Sequence, residues 1–191
     1  MDFTPSLADI RDLVSSITTG LVAIIAIKGY GQWRQQIMGK SRYEVASALL
    51  TKIYKMQNEI SFVRQPFVPI EEYPSKMSEN ASPEVYARSK RFSKLSNTFA
   101  EFEGKLFQAR AVLGQTNLYD VENLRKHIQS LFKALWMYVH LFEDAKDDEK
   151  LKSYRDEHYK TLVDYDTEDV FRPEFDRLVT AIETKLSVYL K

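Results

Sequence analysis

Residues 13–27 read Leu-Val-Ser-Ser-Ile-Thr-Thr-Gly-Leu-Val-Ala-Ile-Ile-Ala-Ile, an uncharged apolar run in a chain whose remainder mixes charged and apolar residues at helical spacing. The run constrains the chain more than any other feature, because it assigns a location and, through its flanks, an orientation. It holds eight Leu, Ile and Val residues. At about −0.3 to −0.6 kcal/mol each these favour insertion into a bilayer, and the Ser, Thr and Gly residues among them erode part of the gain.

Fifteen helical residues rise about 22 Å, short of the roughly 30 Å hydrocarbon core. Extension through Lys28 to Trp33 supplies the missing length: the Lys28 ammonium can snorkel, while Tyr30 and Trp33 suit headgroup depth. The expectation is therefore a transmembrane helix over 13–33, with a buried core helix or an amphipathic helix lying on the membrane surface as the alternatives, since Ser15, Ser16, Thr18 and Thr19 make its first half partly polar. Lys28, Tyr30, Trp33 and Arg34 are its interfacial anchors. A cleaved signal peptide fits poorly, since Asp2, Asp9 and Asp12 outweigh Arg11 in the first dozen residues. Lys28, Arg34, Lys40 and Arg42 follow the run, so the positive-inside rule places residues 34–191 in the cytoplasm. Residues 1–12 become a short extracytoplasmic terminus, and the location is the cell inner membrane with a single pass. Ser16, Gly20 and Ala23 fall on one helix face of the small-xxx-small kind, which suits close packing against a second copy.

Beyond the anchor, about 150 residues suffice for one domain with a sizeable core. Basic and acidic residues balance at 27 each. No global field therefore favours nucleic acid, and a nucleic-acid partner is not expected. Cysteine is absent, which removes disulfides, thiolate catalysis and cysteine-bound metal sites together.

Four apolar stripes recur at 3–4 spacing. Ala46, Leu49, Ile53, Met56, Ile60 and Val63 form the first; Phe92, Leu95, Phe99, Phe102, Leu106, Ala109 and Leu113 the second. Val121, Leu124, Ile128, Leu131, Leu135, Tyr138 and Phe142 form the third, and Phe175, Leu178, Ile182, Leu186 and Tyr189 the fourth. The spacing predicts helices near 41–64, 84–113, 119–144 and 173–190, with a shorter one near 149–163 carrying Leu151, Tyr154, His158 and Leu162. The fold class is all-α: an N-terminal transmembrane helix followed by an antiparallel four- or five-helix bundle. Punctuation agrees. Ser82 can cap a helix with Pro83 in its first turn, Gly114 can end it, Asn117 or Asp120 can start the next, and Pro173 suits another first turn. Gly29, Gly31 and Gly39 are expected to loosen the direction between anchor and bundle.

The connection 65–83 concentrates four of the six prolines. Loops of this length in compact domains are uncommon and often functional. Pro66, Phe67, Pro69, Glu71, Glu72 and Pro74 are its candidate partner-binding residues.

Catalytic and cofactor patterns fail individually. None of His127, His140 or His158 follows a Glu by three residues, so the di-iron bundle pattern is absent, and His140 with Glu143 has the reversed order. The acidic stretch 164–169 lacks the glycine and the terminal glutamate of a calcium loop and reads as a linker and helix start. Phosphate-binding loops, nucleophile elbows and zinc-protease motifs do not occur. Helical ribonucleases space Arg and His more widely than Arg125 and His127 or Arg155 and His158. Arg88, Lys90, Arg91 and Lys94 read as a solvated face. No cofactor, metal or catalytic residue is expected.

The stretch from Trp33 and Arg34 through the Ala46 helix to Arg64 and Pro66 resembles bacterial proteins of unassigned activity that carry one N-terminal membrane helix and a cytoplasmic helical domain. The resemblance covers about the first third of the chain and implies the same layout. The expected function is a non-catalytic scaffold at the lipid bilayer that tethers a protein partner or associates with itself. Two other classes are a membrane-permeabilising effector gated by its bundle and a soluble bundle enzyme or metal protein.

Overall fold

The computed structural model describes residues 7–73, 82–144, 149–164, 169 and 171–190, with the side chains of 7–15, 17 and 141–144 outside that description. The described residues are all-α, with no strand. The helices are α1 (Leu7–Val63), α2 (Pro83–Leu113), α3 (Tyr119–Asp144), α4 (Glu149–Leu162) and α5 (Phe171–Leu186). Short 3₁₀ turns at Ile70–Glu72, Gln115–Leu118 and Ser187–Tyr189 complete the elements.

The chain divides into two compact units, Met1–Arg42 and Tyr43–Lys191. In the first, every residue from Thr18 to Lys40 is exposed. The second holds the core. All six residues of the first stripe are buried, as are all seven of the second. Val121, Leu124, Ile128, Leu131 and Tyr138 of the third are buried, with Leu135 partly so, and Phe142 lies outside the described side chains. Phe175, Leu178, Ile182 and Leu186 are buried on α5, and Tyr189 packs against them. Covering side chains of this size stabilises by about 1.5–3 kcal/mol each.

Polar pairs between helices give the topology. Glu101 on α2 pairs with Lys52 of α1, and Thr98 with Glu59; one number falls as the other rises, so α1 and α2 are antiparallel. Arg110 pairs with Glu122, and Glu103 with Arg125, making α2 and α3 antiparallel. Gln57 meets Asp176 and Ser61 meets Arg172, so α5 returns along the other side of α1. His127 bonds the Phe171 carbonyl and Asp120 pairs with Lys185, which makes α3 and α5 antiparallel. Residues 43–63 of α1 with α2, α3 and α5 thus form an antiparallel four-helix bundle. Helix α4 packs on α3 as the short fifth member.

Local chemistry sets the ends. The Ser82 hydroxyl accepts from the Val85 amide at 3.4 Å, and Pro83 occupies the first turn. Gly114 has φ 81° and its amide bonds the Arg110 carbonyl, closing α2 where a side chain would be strained. The Asn117 side chain donates to the Leu113 carbonyl at 2.6 Å. Helix α5 begins before Pro173, because Asp169 accepts from the Phe171 and Arg172 amides.

Several expectations need correction. The 13–33 segment does not emerge as a transmembrane span: among the described residues no helix is long and apolar enough to cross a membrane. Ser16, Thr18, Thr19 and Gly20 precede Leu21–Ile27 and Lys28 follows it, so the uninterrupted apolar core is about 10 Å long. Leu13, Val14 and Ile17, which belong to the expected span, lie outside the described side chains. Gly20, Gly29, Gly31 and Gly39 all keep negative φ and are helical within α1. Tyr154, assigned to the buried face of α4, is exposed. Tyr159 packs inward instead, its hydroxyl held by Glu84 and Arg88.

Candidate functional site

Two features stand out, one in each compact unit. The first is the exposed helix from Thr18 to Lys40. Leu21, Val22, Ile24, Ile25 and Ile27 are all exposed, and at about 3.6 residues per turn they, with exposed Ala23 and Ala26, surround the axis. A surface helix of a globular protein carries a single apolar stripe, whereas a helix apolar all round is one that becomes covered all round. Tyr30 and Trp33 follow one turn later with ring centroids 6.0 Å apart, and Lys28 and Arg34 are exposed beside them. Ser16, Gly20 and Ala23 share one face, and a Cβ built on Gly20 meets nothing within 4 Å. That face is open.

The second feature is the end of the bundle where α1 stops. Arg64, directly after α1, is buried and makes a two-pronged pair with Asp169 at 2.7 and 2.8 Å. Its remaining donors reach the Thr161 and Val163 carbonyls, and its guanidinium lies 4.8 Å over the Phe171 ring. The Asp164 amide donates back to the Arg64 carbonyl at 2.8 Å. One side chain thereby ties the ends of α1 and α4 to the start of α5. Burial would raise the Asp169 carboxyl, but the hydrogen bonds and charge of Arg64 and the amides of Phe171 and Arg172 overcome it and hold the pKa at about 2. Asp164 moves the other way, raised first by burial and then by its hydrogen bond with Asp169.

Arg88 and Arg91 lock the loop that follows. Arg91 grips Glu72 at 2.6 and 2.7 Å, reaches the Phe62 and Phe67 carbonyls, and lies 4.6 Å over the Phe62 ring. Its hydrogen bond holds the Glu72 carboxyl below the usual range. Arg88 donates to Glu84, the Pro66 carbonyl and the Tyr159 hydroxyl. Tyr159 in turn donates to Glu84 and stacks near Tyr138, whose hydroxyl is pushed up to about 12 by burial and by the charge of Glu84. Among the described residues two buried atoms lack a protein partner, Arg88 Nη1 and Glu59 Oε2. Such orphans cost about 1–3 kcal/mol each unless water reaches them.

The consequence is a loop with a fixed backbone and bare side chains. Phe67 is 83 % exposed and Ile70 79 %, while the carbonyls around them are held by buried guanidinium groups. Pro69 and Glu71 are exposed and Pro66 is half-buried, whereas Glu72 is spent on Arg91. Pro74 lies outside the described residues.

Arg88 and Arg91 correct the expected solvated face, because only Lys90 and Lys94 of that group are exposed. The signal was present in the spacing. Arg88 and Arg91 stand four residues before Phe92 and Leu95 and so continue that stripe toward the helix start. Each histidine on α3 is held by a carbonyl, which only accepts, so His127 Nε2 and His140 Nδ1 are the protonated nitrogens. Among the described residues no group of His, Asp and Glu side chains could hold a metal ion. Glu143, paired with His140 in the sequence, lies outside the described side chains.

Comparison with family models, curated proteins and solved structures finds no match to this chain.

Proposed function

We propose that this chain is a membrane-anchored, non-catalytic interaction protein. Residues 13–33 attach the chain to a bilayer, and the bundle, on the cytoplasmic face, presents the Phe67 and Ile70 loop to a protein partner. One observation carries the anchor: the apolar side chains from Leu21 to Ile27 are exposed around the whole helix. Water is a poor medium for that arrangement and lipid a good one, since each buried apolar side chain gains about 1.5–3 kcal/mol on leaving water. Tyr30, Trp33 and Arg34, placed just beyond the apolar core, match the interfacial belt. The cations Lys28, Arg34, Lys40 and Arg42 all follow the apolar core, which favours the cytoplasmic side for the bundle.

The partner loop is supported by its rigidity. An apolar tip held by Arg88 and Arg91 loses little conformational entropy on docking. Alkaline carbonate extraction of membranes from cells expressing the whole chain tests the anchor. Retention in the pellet is expected, and complete release overturns the proposal. Self-association through Ser16, Gly20 and Ala23 is tested separately: G20L with A23L is expected to lower the crosslinked dimer yield in membranes, and an unchanged yield removes that face.

A further inference from the structure

The charge on the anchor helix is segregated. The chain as a whole has no net charge, yet between Leu13 and Tyr43 there is no acidic residue, and Lys28, Arg34, Lys40 and Arg42 all fall there. Arg34, Met38 and Arg42 succeed one another at four-residue steps, as do Gly31, Gln35 and Gly39. These six residues line a single open groove along the helix. Met38 lies between the two arginines on their row, and on the neighbouring row a Cβ built on Gly31 or Gly39, either side of Gln35, meets nothing within 4 Å. The two arginines are about 12 Å apart along the axis. Guanidinium groups recognise phosphate with paired hydrogen bonds, which a lysine ammonium does not reproduce. Arg34 adjoins Trp33, and the Tyr30 and Trp33 rings mark the headgroup level, so Arg34 stands at the depth of lipid phosphates and Lys28 reaches it by snorkelling.

Resting on the anchor reading above, we propose that the anchor selects anionic phospholipid, with Arg34 and Lys28 meeting the phosphates of a negatively charged leaflet and Arg42 lying beyond them in its field. Each such cation strengthens binding about fivefold at an anionic surface, so three give a preference on the order of a hundredfold. Salt screens this attraction over a Debye length of about 10 Å at 0.1 M.

The test dilutes the full chain from detergent into vesicles of phosphatidylcholine alone or with added phosphatidylglycerol, and reads partition by flotation at low and high salt. The expected result is a preference for the anionic vesicles on the order of a hundredfold at low salt, shrinking at high salt. R34Q with R42Q is expected to remove most of that preference. Equal partition onto both vesicles overturns the lipid selectivity and leaves the anchor standing. Absence from both overturns the anchor itself. A full preference retained by the double variant overturns the assignment to Arg34 and Arg42.

Discussion

Trp33 and Trp136 are equally exposed at 57 %, but they stand in different surroundings. Trp136 lies on a helix whose opposite face buries Leu131, Ala134 and Tyr138, and it stacks on His140 with centroids 4.1 Å apart. Trp33 lies on a helix with no buried residue from Thr18 to Lys40. Exposure on one face is ordinary for a globular helix. Exposure of apolar side chains on every face is what the proposed membrane attachment accounts for. The same contrast divides α1. Its residues from Ala46 onward bury one stripe in the bundle, while Leu21 to Ile27 have no stripe at all.

The sharpest way to break this contrast is to charge the proposed anchor. I24D with I25D places two carboxylates where insertion costs about 2.5–3.5 kcal/mol each, so membrane retention is expected to fall by more than a hundredfold. The thermal midpoint of the bundle is expected not to move. Retention in the carbonate pellet would show that other residues hold the chain to the membrane.

The bundle end is broken by R64A. Removing one member of a buried pair costs about 3–5 kcal/mol, because the Asp169 carboxylate stays buried without its cation. Urea unfolding followed by circular dichroism should show that loss, with membrane retention intact. A loss below 1 kcal/mol would mean that Arg64 does not join the helix ends.

Acid acts on the same pair. Asp169 has a folded pKa depressed to about 2, below the ordinary carboxyl value, so its contribution is present above about pH 4 and is lost as pH falls toward 2. Asp164, with a raised folded pKa, has the opposite sign: its contribution is full in acid and is lost as pH rises through that raised value. The stability gap between the native chain and D169N is therefore expected to narrow steadily from pH 4 to pH 2. A constant gap would contradict the pairing.

The smallest effects separate two glycines of the bundle. Gly104 is exposed within α2 at ordinary helical φ, and a Cβ there meets nothing within 4 Å, so G104A is expected to stabilise by about 0.5–1 kcal/mol. Gly114 holds φ 81°, and G114A is expected to destabilise by about 1 kcal/mol. Thermal melts of the two variants should move in opposite directions.

The bundle was legible because its signals are periodic. Stripes such as Leu49, Ile53, Met56 and Ile60 recur at the helical period, and Ser82, Pro83 and Gly114 punctuate them with local chemistry. Arg64 was not legible as core, and Arg88 and Arg91 were read as solvated although they continue the Phe92 and Leu95 stripe, since an arginine looks solvated unless its partners are known. Those partners are distant in sequence: Asp169 for Arg64, Tyr159 for Arg88, and the Phe62 and Phe67 carbonyls for Arg91. Tyr154 was misplaced for a related reason. On α4 the inward position goes to Tyr159, whose hydroxyl has two polar partners waiting. The glycines at 29, 31 and 39 were expected to loosen the helix direction, but glycine permits a departure from the helix without requiring one, and all three are helical.

The most direct test of the contrast uses the two tryptophans. Single-tryptophan chains W136F and W33F, reconstituted in vesicles containing brominated lipid, report separately on Trp33 and Trp136. The account predicts blue-shifted, strongly quenched emission from Trp33 and unquenched emission from Trp136. Unquenched Trp33 emission, or equal quenching of both, would contradict it.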